Sequence, residues 1–394
     1  MTIHDCAIVG GGMIGAATAV ALADLGLKVA LIEKFTPKAL DSSVAKQPEP
    51  FDLRISAISL NSQALLDTLG AWRFIEQSRI CQYKRLGVWE DEFAYTEFNA
   101  QEIDRSHLGY MVENRQIQLA LWQVVSEHNS IDLLCPEQVK QFTQQADFVD
   151  IELSSKHIKA KLLIAADGAN SQIRQLANIG LTGWDYAQSA MLINVETSIE
   201  QQDITWQKFH STGPVAFLPM PGKNASLVWY HNKAEIKRLA ALSNEQLAQE
   251  VLQAFPEKLG AVKVVGKGAF DLTRRHANQY VNGRVVLVGD AAHTINPLAG
   301  QGVNLGFKDV KALQMAMAKA IGEGRDFDAP STLSSYEKAR RTDNLMMMSG
   351  MDAIYQTFTH QSPLVKIVRN IGLFAAQRAG KLKSKALAYA CGVA

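Results

Sequence analysis

Apolar positions along the chain fall into two rhythms, short β-branched runs and helical spacing, and their order predicts the architecture. The first run, Cys6-Ala-Ile-Val9, ends in glycines. A helical pattern follows from about Met13 to Leu25, closed by Gly26, and Lys28-Val-Ala-Leu-Ile-Glu33 reads as a second strand. Residues 35–51 are polar, carry Pro37, Pro48 and Pro50, and read as a loop. A strand-like stretch from Asp52 to Ser59 leads to a helix through Leu65, Leu66 and Leu69. Leu86 to Phe98 alternates as strands do, and Gly109 to Asn114 leads into a helix holding Gln118, Leu119, Leu121 and Trp122. Strands are expected at Asp132–Cys135, Phe148–Leu153 and Lys161–Ala165.

From residue 183 the rhythm changes. Strand-like runs cover 190–195, 205–209, 215–219 and 225–230, and Pro221-Gly222 marks a hairpin. One helix, Ser243 to Phe255, interrupts them, with Ser243 and Gln246 spaced as a capping box. Aromatic residues in these strands either fill the core or roof a flat ring. Arg284-Val-Val-Leu-Val288 is a short buried parallel strand. A helix through Val310, Leu313 and Met317 follows, then helices over Tyr336–Met351 and roughly Leu364–Tyr389.

The 394 residues exceed one typical domain, and 47% hydrophobic content supports a real core. A net charge of +1 gives no global field for nucleic acid. Cys6, Cys81, Cys135 and Cys391 show no CxxC spacing, so free thiols are expected, with neither metal site nor disulfide framework. No secretory leader and no apolar run long enough to cross a membrane is expected, which suggests a cytoplasmic protein.

Three stretches carry chemistry. Gly10, Gly12 and Gly15 match G-x-G-x-x-G between a strand and a helix, with Met13 and Ile14 inside the motif. The first glycine allows the turn, the second lets a pyrophosphate approach the backbone, and the third lets helix pack on strand. Glu33, at the end of the second strand, is placed to accept from ribose hydroxyls. Asp167-Gly168 ends a third strand, with Arg174 a helical turn on; Asp167 is either a ligand contact or a helix cap. Gly289-Asp290 ends the strand from Arg284 and runs on through His293, Pro297, Gly300, Gln301, Gly302, Val303 and Asn304 to Gly306. It offers a carboxylate for hydroxyls and a helix N-terminus for a partial negative charge. A flavin needs both, for its ribityl chain and for the ring edge that becomes anionic on reduction. Arg54 could face a diphosphate or make a surface ion pair, and His293 is a candidate for chemistry or for packing.

The order of these three signals resembles the class A flavoprotein monooxygenases, the para-hydroxybenzoate hydroxylase group. Within it, Gly-Asp-Ala-Ala-His-Thr-Ile-Asn-Pro-Leu-Ala-Gly-Gln-Gly-Val-Asn is similar to the ubiquinone-biosynthesis hydroxylases. The resemblance covers nearly the whole chain. It implies an α/β fold (α+β overall): a discontinuous Rossmann-like FAD-binding domain (1–82, 105–182 and 272–330), an antiparallel β-sheet substrate domain (83–104 and 183–271) and a C-terminal helical region (331–394). It implies that Gly10, Gly12, Met13, Ile14, Gly15 and Glu33 hold the ADP half of FAD, with Lys34 a further candidate. Arg54 and Gln118 would touch the flavin or its diphosphate, Asp167 would support FAD, and Gly289-Asp290 would bind the ribityl chain. Pro297 and the stretch Gly300–Asn304 would face the ring. Asn114 departs from the arginine that many members of the wider group carry.

The activity implied is ring hydroxylation of a polyprenylated benzoquinol, by way of a flavin C4a-hydroperoxide, with NAD(P)H as electron donor and O2 as co-substrate. No catalytic acid or base is implied. A hydroxylase of another step or of a small soluble phenol, and a flavin-bearing scaffold, are the rival readings. Lys366, Arg369, Arg378, Lys381, Lys383 and Lys385 lie among apolar residues near the C-terminus. That pattern suits an anionic inner-membrane surface, other ubiquinone-biosynthesis proteins, or a helix packed on the body with a solvated basic face.

Overall fold

The computed structural model describes residues 3–37, 50–295 and 302–393. Its first sheet is built on five parallel strands in the order β18 (Val285–Leu287), β11 (His157–Ala165), β1 (Ile3–Val9), β2 (Val29–Ile32) and β8 (Ile131–Leu134). β17 (Val281–Asn282) adds an antiparallel edge. β10 (Val149–Leu153) and β9 (Val139–Gln144) extend from β11 as an antiparallel flap. β9 had no sequence expectation: Val139 is its only fully buried position, so the run is too polar to announce a strand.

β2 and β18 are buried along their whole length, which explains their unbroken apolar runs. α1 (Met13–Ala23) is buried from Gly15 onward, between this sheet and the helices α3 (Asn114–Glu127) and α7 (Gly302–Gly322). Small residues make that possible: α1 reads Met-Ile-Gly-Ala-Ala-Thr-Ala-Val-Ala-Leu-Ala, so neighbouring backbones approach closely. It ends at Ala23, two residues short of expectation, and Gly26 turns the chain at φ +83°. In α7, Val310, Leu313 and Met317 are buried as their spacing predicts.

The second sheet also has eight strands, ordered β19 (His293–Thr294), β16 (Val262–Ala277), β12 (Leu181–Thr197), β15 (Asn224–Asn232), β14 (Val215–Pro219), β13 (Ile204–Lys208), β5 (Arg85–Trp89) and β6 (Thr96–Asn99). It is not purely antiparallel, because β13 runs parallel to β5. That pairing joins two segments more than a hundred residues apart, where no hairpin sets the direction. β12 and β16 form a long ribbon reaching from this sheet to the first, where Ala277 enters the first core.

Two helices interrupt the strands, not one: α5 (Lys233–Ala241) precedes α6 (Asn244–Ala254). Asn232 caps the first, and Ser243 and Gln246 form the expected capping box on the second. Both pack on the sheet through Ile236, Leu239, Leu247 and Val251. The strand aromatics join that core, with Trp206 stacked on Phe217 and Trp229 edge-on to Phe255. A third, small sheet, ordered β3 (Ile55–Ser59), β7 (Gly109–Glu113) and β4 (Cys81–Tyr83), leads into α2 (Leu60–Thr68) and α3. A short α4 (Gln172–Leu176) follows β11.

α8 (Pro330–Thr359) is much longer than its sequence pattern, and the expected last helix divides at Gly380, φ +50°, into α9 (Pro363–Gln377) and α10 (Lys381–Cys391). The basic face expected to meet solvent is partly turned inward. Arg369 is buried against Glu90, and Lys383 reaches Glu102 at 2.8 Å. No helix among the described residues is long and apolar enough to cross a membrane.

Candidate active site

The glycine turn after β1 shows three separate steric demands. Gly10 sits at φ +104°, and a Cβ there would lie 2.4 Å from the Ala166 carbonyl oxygen. A Cβ on Gly15 would lie 1.8 Å from the Gly10 carbonyl oxygen, so only glycine lets α1 start this close to β1. A Cβ on Gly12 would meet nothing within 4 Å. That position opens to space beside the first turn of α1, whose N-cap has no side-chain partner. Gly11 is fastened at both ends. Its N–H donates to Glu33 Oε2 at 2.5 Å, and its carbonyl accepts from Gln118 Nε2 at 2.9 Å and Trp122 Nε1 at 2.7 Å.

Glu33 also accepts from the Phe35 N–H at 2.8 Å. A carboxylate has further lone pairs, so ribose hydroxyls remain within its capacity. Gln118 therefore braces the turn from α3. Trp122, which no motif marks, does the same. Lys34 is exposed and places its ammonium over the adjacent Phe35 ring.

The second half of the site gathers three chain segments. Asp167 Oδ2 accepts from the Ile173 N–H at 3.1 Å, while its Oδ1 is buried with no partner among the described residues. Ser171, not Asp167, caps α4. Arg174 is buried and donates to the carbonyls of Ala291 (2.9 Å) and Ala169 (3.1 Å), tying the loop after β11 to the loop after β18. Gly289 turns at φ +60°. Ile14 fills the space beside it: a Cβ on Gly289 would lie 3.1 Å from Ile14 Cγ2, and one on Gly306 only 2.7 Å from Ile14 Cδ1. Ile14 thus locks the glycine turn, the Asp290 loop and α7 together.

Asp290 is exposed and near enough to Arg54 and His293 to be influenced by both. Desolvation by the surrounding atoms, helped by the Asp309 charge, pushes its carboxyl upward against the pull of His293 and Arg54. Solvent reaches the side chain, so that upward push is moderated.

Beneath this loop lies a buried charged network. Asp309, on α7, takes His293 Nε2 at 2.5 Å, the Gly289 N–H at 3.0 Å, Arg340 Nε at 2.7 Å and Asn344 Nδ2 at 3.2 Å. Burial pushes the Asp309 carboxyl up, and His293 and Arg340 overcome it and hold it at about 2. From Asn344 the contacts continue to the Tyr280 hydroxyl (3.1 Å) and His276 (3.0 Å), and burial lowers His276 to about 4. His293 is therefore a buried strut under the loop, the packing alternative of its two readings. Sequence offers no signal for this network, since Asp309, Arg340 and Asn344 look like ordinary helix residues until α7 and α8 are packed.

Asn304 is also buried. Its Oδ1 accepts from the Ser59 N–H (3.0 Å) and Ser62 Oγ (2.8 Å), and its Nδ2 donates to the Ala57 carbonyl (2.8 Å), so it joins α7 to β3 and α2. Gly302 begins α7 and Val303 packs on the first core. Met13 packs there too. Pro297, Gly300 and Gln301 lie outside the described residues. The described cavities, of about 190 Å³ by Tyr186 and Tyr355 and about 300 Å³ by Lys308 and Tyr389, are lined by none of the expected cofactor residues.

The donor set fits FAD: open space beside Gly12, the uncapped start of α1, a partnerless acceptor on Asp167 and an accessible carboxylate on Asp290 beside Arg54. Residues 4–348 match the family described as FAD binding domain. The chain is 46% identical over 390 residues to 3-demethoxyubiquinol 3-hydroxylase of Escherichia coli K12, covering 99% of this chain and 98% of that one. It is 36% identical over 394 residues to ubiquinone hydroxylase UbiL of Rhodospirillum rubrum, covering 99% and 90%. The crystal structure of p-nitrophenol 4-monooxygenase PnpA from Pseudomonas putida DLL-E4 shares the fold, with a TM-score of 0.80 over 98% of this chain and 96% of that one, at 20% identity.

With the family match and these relatives, the fold belongs to a monooxygenase that uses FAD, with NAD(P)H and O2 as the co-substrates of its class. The chain belongs to the FAD-dependent hydroxylases of ubiquinone biosynthesis.

Proposed function

We propose that the chain hydroxylates the ring of a polyprenylated benzoquinol, the step for which its Escherichia coli relative, 3-demethoxyubiquinol 3-hydroxylase, is named. The observation that carries this reading is the 46% identity to that protein, against 36% to ubiquinone hydroxylase UbiL. When bound, FAD supplies electron transfer from NAD(P)H and the activation of O2.

The protein's own residues bind, orient and exclude water. Gly12 would leave room for the diphosphate while Gly10 and Gly15 hold the turn and α1 in place, with Met13 and Ile14 shaping the start of α1. Glu33 accepts from the ribose, and Lys34 and Arg54 supply positive charge. Gln118 and Asp167 steady the nucleotide end. Gly289 and Asp290 meet the ribityl chain. Pro297, Gly300, Gln301, Gly302, Val303 and Asn304 would face the ring, where the dipole at the start of α7 would favour the anionic reduced form. A quinol ring is already activated by its oxygens, and no side chain is assigned as acid or base. Supporting an apolar substrate, Met111, Met220, Ile55 and Leu218 form an apolar cluster between the small sheet and the large one.

On this reading the protein is cytoplasmic, soluble or peripherally associated with the inner membrane, with the C-terminal helices the surface for the membrane or for other proteins of the pathway. A strain lacking this protein is expected to accumulate demethoxyubiquinone, as measured by quinone extraction. Accumulation of an earlier intermediate would reassign the step.

A further inference from the structure

α9 is built inside out. A helix packed on a soluble body turns its apolar stripe inward and its polar face to water. Here the buried positions are Arg369 (7% exposed) and Asn370 (1%). Both grip Glu90: Arg369 Nε at 2.7 Å, Arg369 Nη2 at 2.5 Å and Asn370 Nδ2 at 2.7 Å. Further polar contacts fasten the same face. Thr96 Oγ1 donates to the Leu373 carbonyl at 2.8 Å, and the Glu97 N–H donates to Gln377 Oε1 at 2.9 Å.

The apolar positions look outward. Leu364 is 75% exposed, Ile367 56%, Val368 69%, Ile371 57% and Phe374 40%, and their i, i+3, i+4, i+7, i+10 spacing makes one continuous stripe. Leu382, in α10, is exposed as well. Polar anchors of this kind set the helix orientation firmly, so the stripe is not a face left over from weak packing. A contiguous exposed apolar patch marks an interaction surface.

Charge distinguishes the partners. From Ala353 to Ala394 the sequence contains no aspartate or glutamate, and it holds Lys366, Arg369, Arg378, Lys381, Lys383 and Lys385. Lys366, Arg369 and Lys383 pair with Asp91, Glu90 and Glu102 of the body. Arg378, Lys381 and Lys385 are exposed and form no ion pair with an acid among the described residues. An apolar stripe beside exposed cations that pair with no acid among the described residues, Arg378 lying over the Phe374 ring, with no acid on the segment, is the pattern of a helix lying in the surface of an anionic bilayer.

We propose that the outward stripe of α9, with Arg378, Lys381 and Lys385 beside it, seats the enzyme on an anionic lipid bilayer with α9 lying in the plane of the headgroups. The apolar stripe rather than the basic residues is the inserting element. The choice of a bilayer over a protein partner rests on the reading of a lipid-borne quinol substrate. The α9 helix is about 22 Å long, enough to lie along the interface and too short to span it.

The test is co-sedimentation of the FAD-loaded protein with phosphatidylethanolamine/phosphatidylglycerol vesicles and with phosphatidylcholine vesicles. The wild type is expected to pellet with the anionic vesicles, more weakly with the neutral ones, and less as salt rises. Replacing both exposed residues, Ile367→Glu and Ile371→Glu, is expected to lower partitioning roughly ten-fold or more, and Lys381→Gln with Lys385→Gln to lower it on anionic vesicles only. Bound-flavin absorbance and turnover of a short-tailed soluble quinol monitor folding and are expected to stay unchanged in both variants. A wild type that stays in the supernatant with both vesicles, or an Ile367→Glu/Ile371→Glu variant that still pellets like the wild type, overturns the proposal. So does concentration-dependent self-association that those substitutions abolish, which would make the stripe an interface between copies. Vesicle binding without turnover of any quinol would instead count against the substrate reading and leave the docking surface standing.

Discussion

The two halves of the candidate site are built on different physics. The glycine turn after β1 is a steric device. Gly10 and Gly15 stand where a Cβ would strike a carbonyl oxygen at 2.4 and 1.8 Å, and Gly12 stands where nothing must be in the way. The Asp290 loop after β18 is an electrostatic device. It rests on Asp309, which has no exposed surface and binds His293, Arg340, Asn344 and the Gly289 N–H at once. Arg174 clamps the same loop from the other side. A steric demand selects a residue type at a fixed spacing, so it is written locally. A buried charge needs partners wherever the fold can bring them, so its partners come from far along the chain.

That contrast can be broken at its strongest point by Asp309→Ala. Removing the carboxylate takes the shared acceptor from buried His293 and Asn344 and leaves Arg340 with Asp343 as its one acid partner among the described residues, and a loss of about 3 kcal/mol is expected from the urea midpoint. A loss below about 1 kcal/mol would mean that the network does not carry the loop. Gly15→Ala tests the steric half. The clash with the Gly10 carbonyl is expected to cost roughly 3 kcal/mol and to reduce FAD content, read from flavin absorbance. Normal FAD content in a stable variant would show that α1 can shift to make room.

The smallest expected effect separates the halves by pH. His276 is lowered to about 4 by burial, with the charges of His293, Arg341 and Arg274 acting the same way. The unfolded chain therefore binds the extra proton first, near 6.5. The stability that comes from keeping His276 neutral is complete above that pH and is lost as pH falls toward 4. About 2 kcal/mol is expected to go between pH 6.5 and pH 5, and His276→Asn should remove that share of the slope. An unchanged slope in the variant would place the titrating group elsewhere.

Reading the chain before its structure, α1, β1, β2, β11 and β18 were legible because each must satisfy a strong local rule: an apolar run, a glycine turn, an acid at a strand end. The capping box at Ser243 and Gln246 was legible for the same reason. β9 and α5 were missed because their apolar positions are too few to set a rhythm, and their places depend on β10 and on the large sheet. Of the expected site residues, Gly10, Gly12, Gly15 and Glu33 come together in one turn, and Arg54 lies near Asp290. Ile14, Gln118 and Asn304 are used in packing or in bracing backbone. Trp122, Arg174, Asp309, Arg340 and Asn344 gain their roles only through contacts across long stretches of chain.

The C-terminal region makes the same division sharpest. Its local pattern carries the helical character, the excess of basic residues and the apolar positions, because periodicity and charge are local properties, but not the length of α8 or the break at Gly380. It did not say which face would turn outward. Burying Arg369 and Asn370 in α9 is favourable only because Glu90 waits on the strand side of the fold with two oxygens to meet them. Sequence alone determined the glycine turn, the amphipathic periodicity near the C-terminus and, through family membership, the kind of cofactor. The tertiary structure decided how the Asp290 loop is supported and which way α9 faces, because buried charge is tolerated only where distant partners converge.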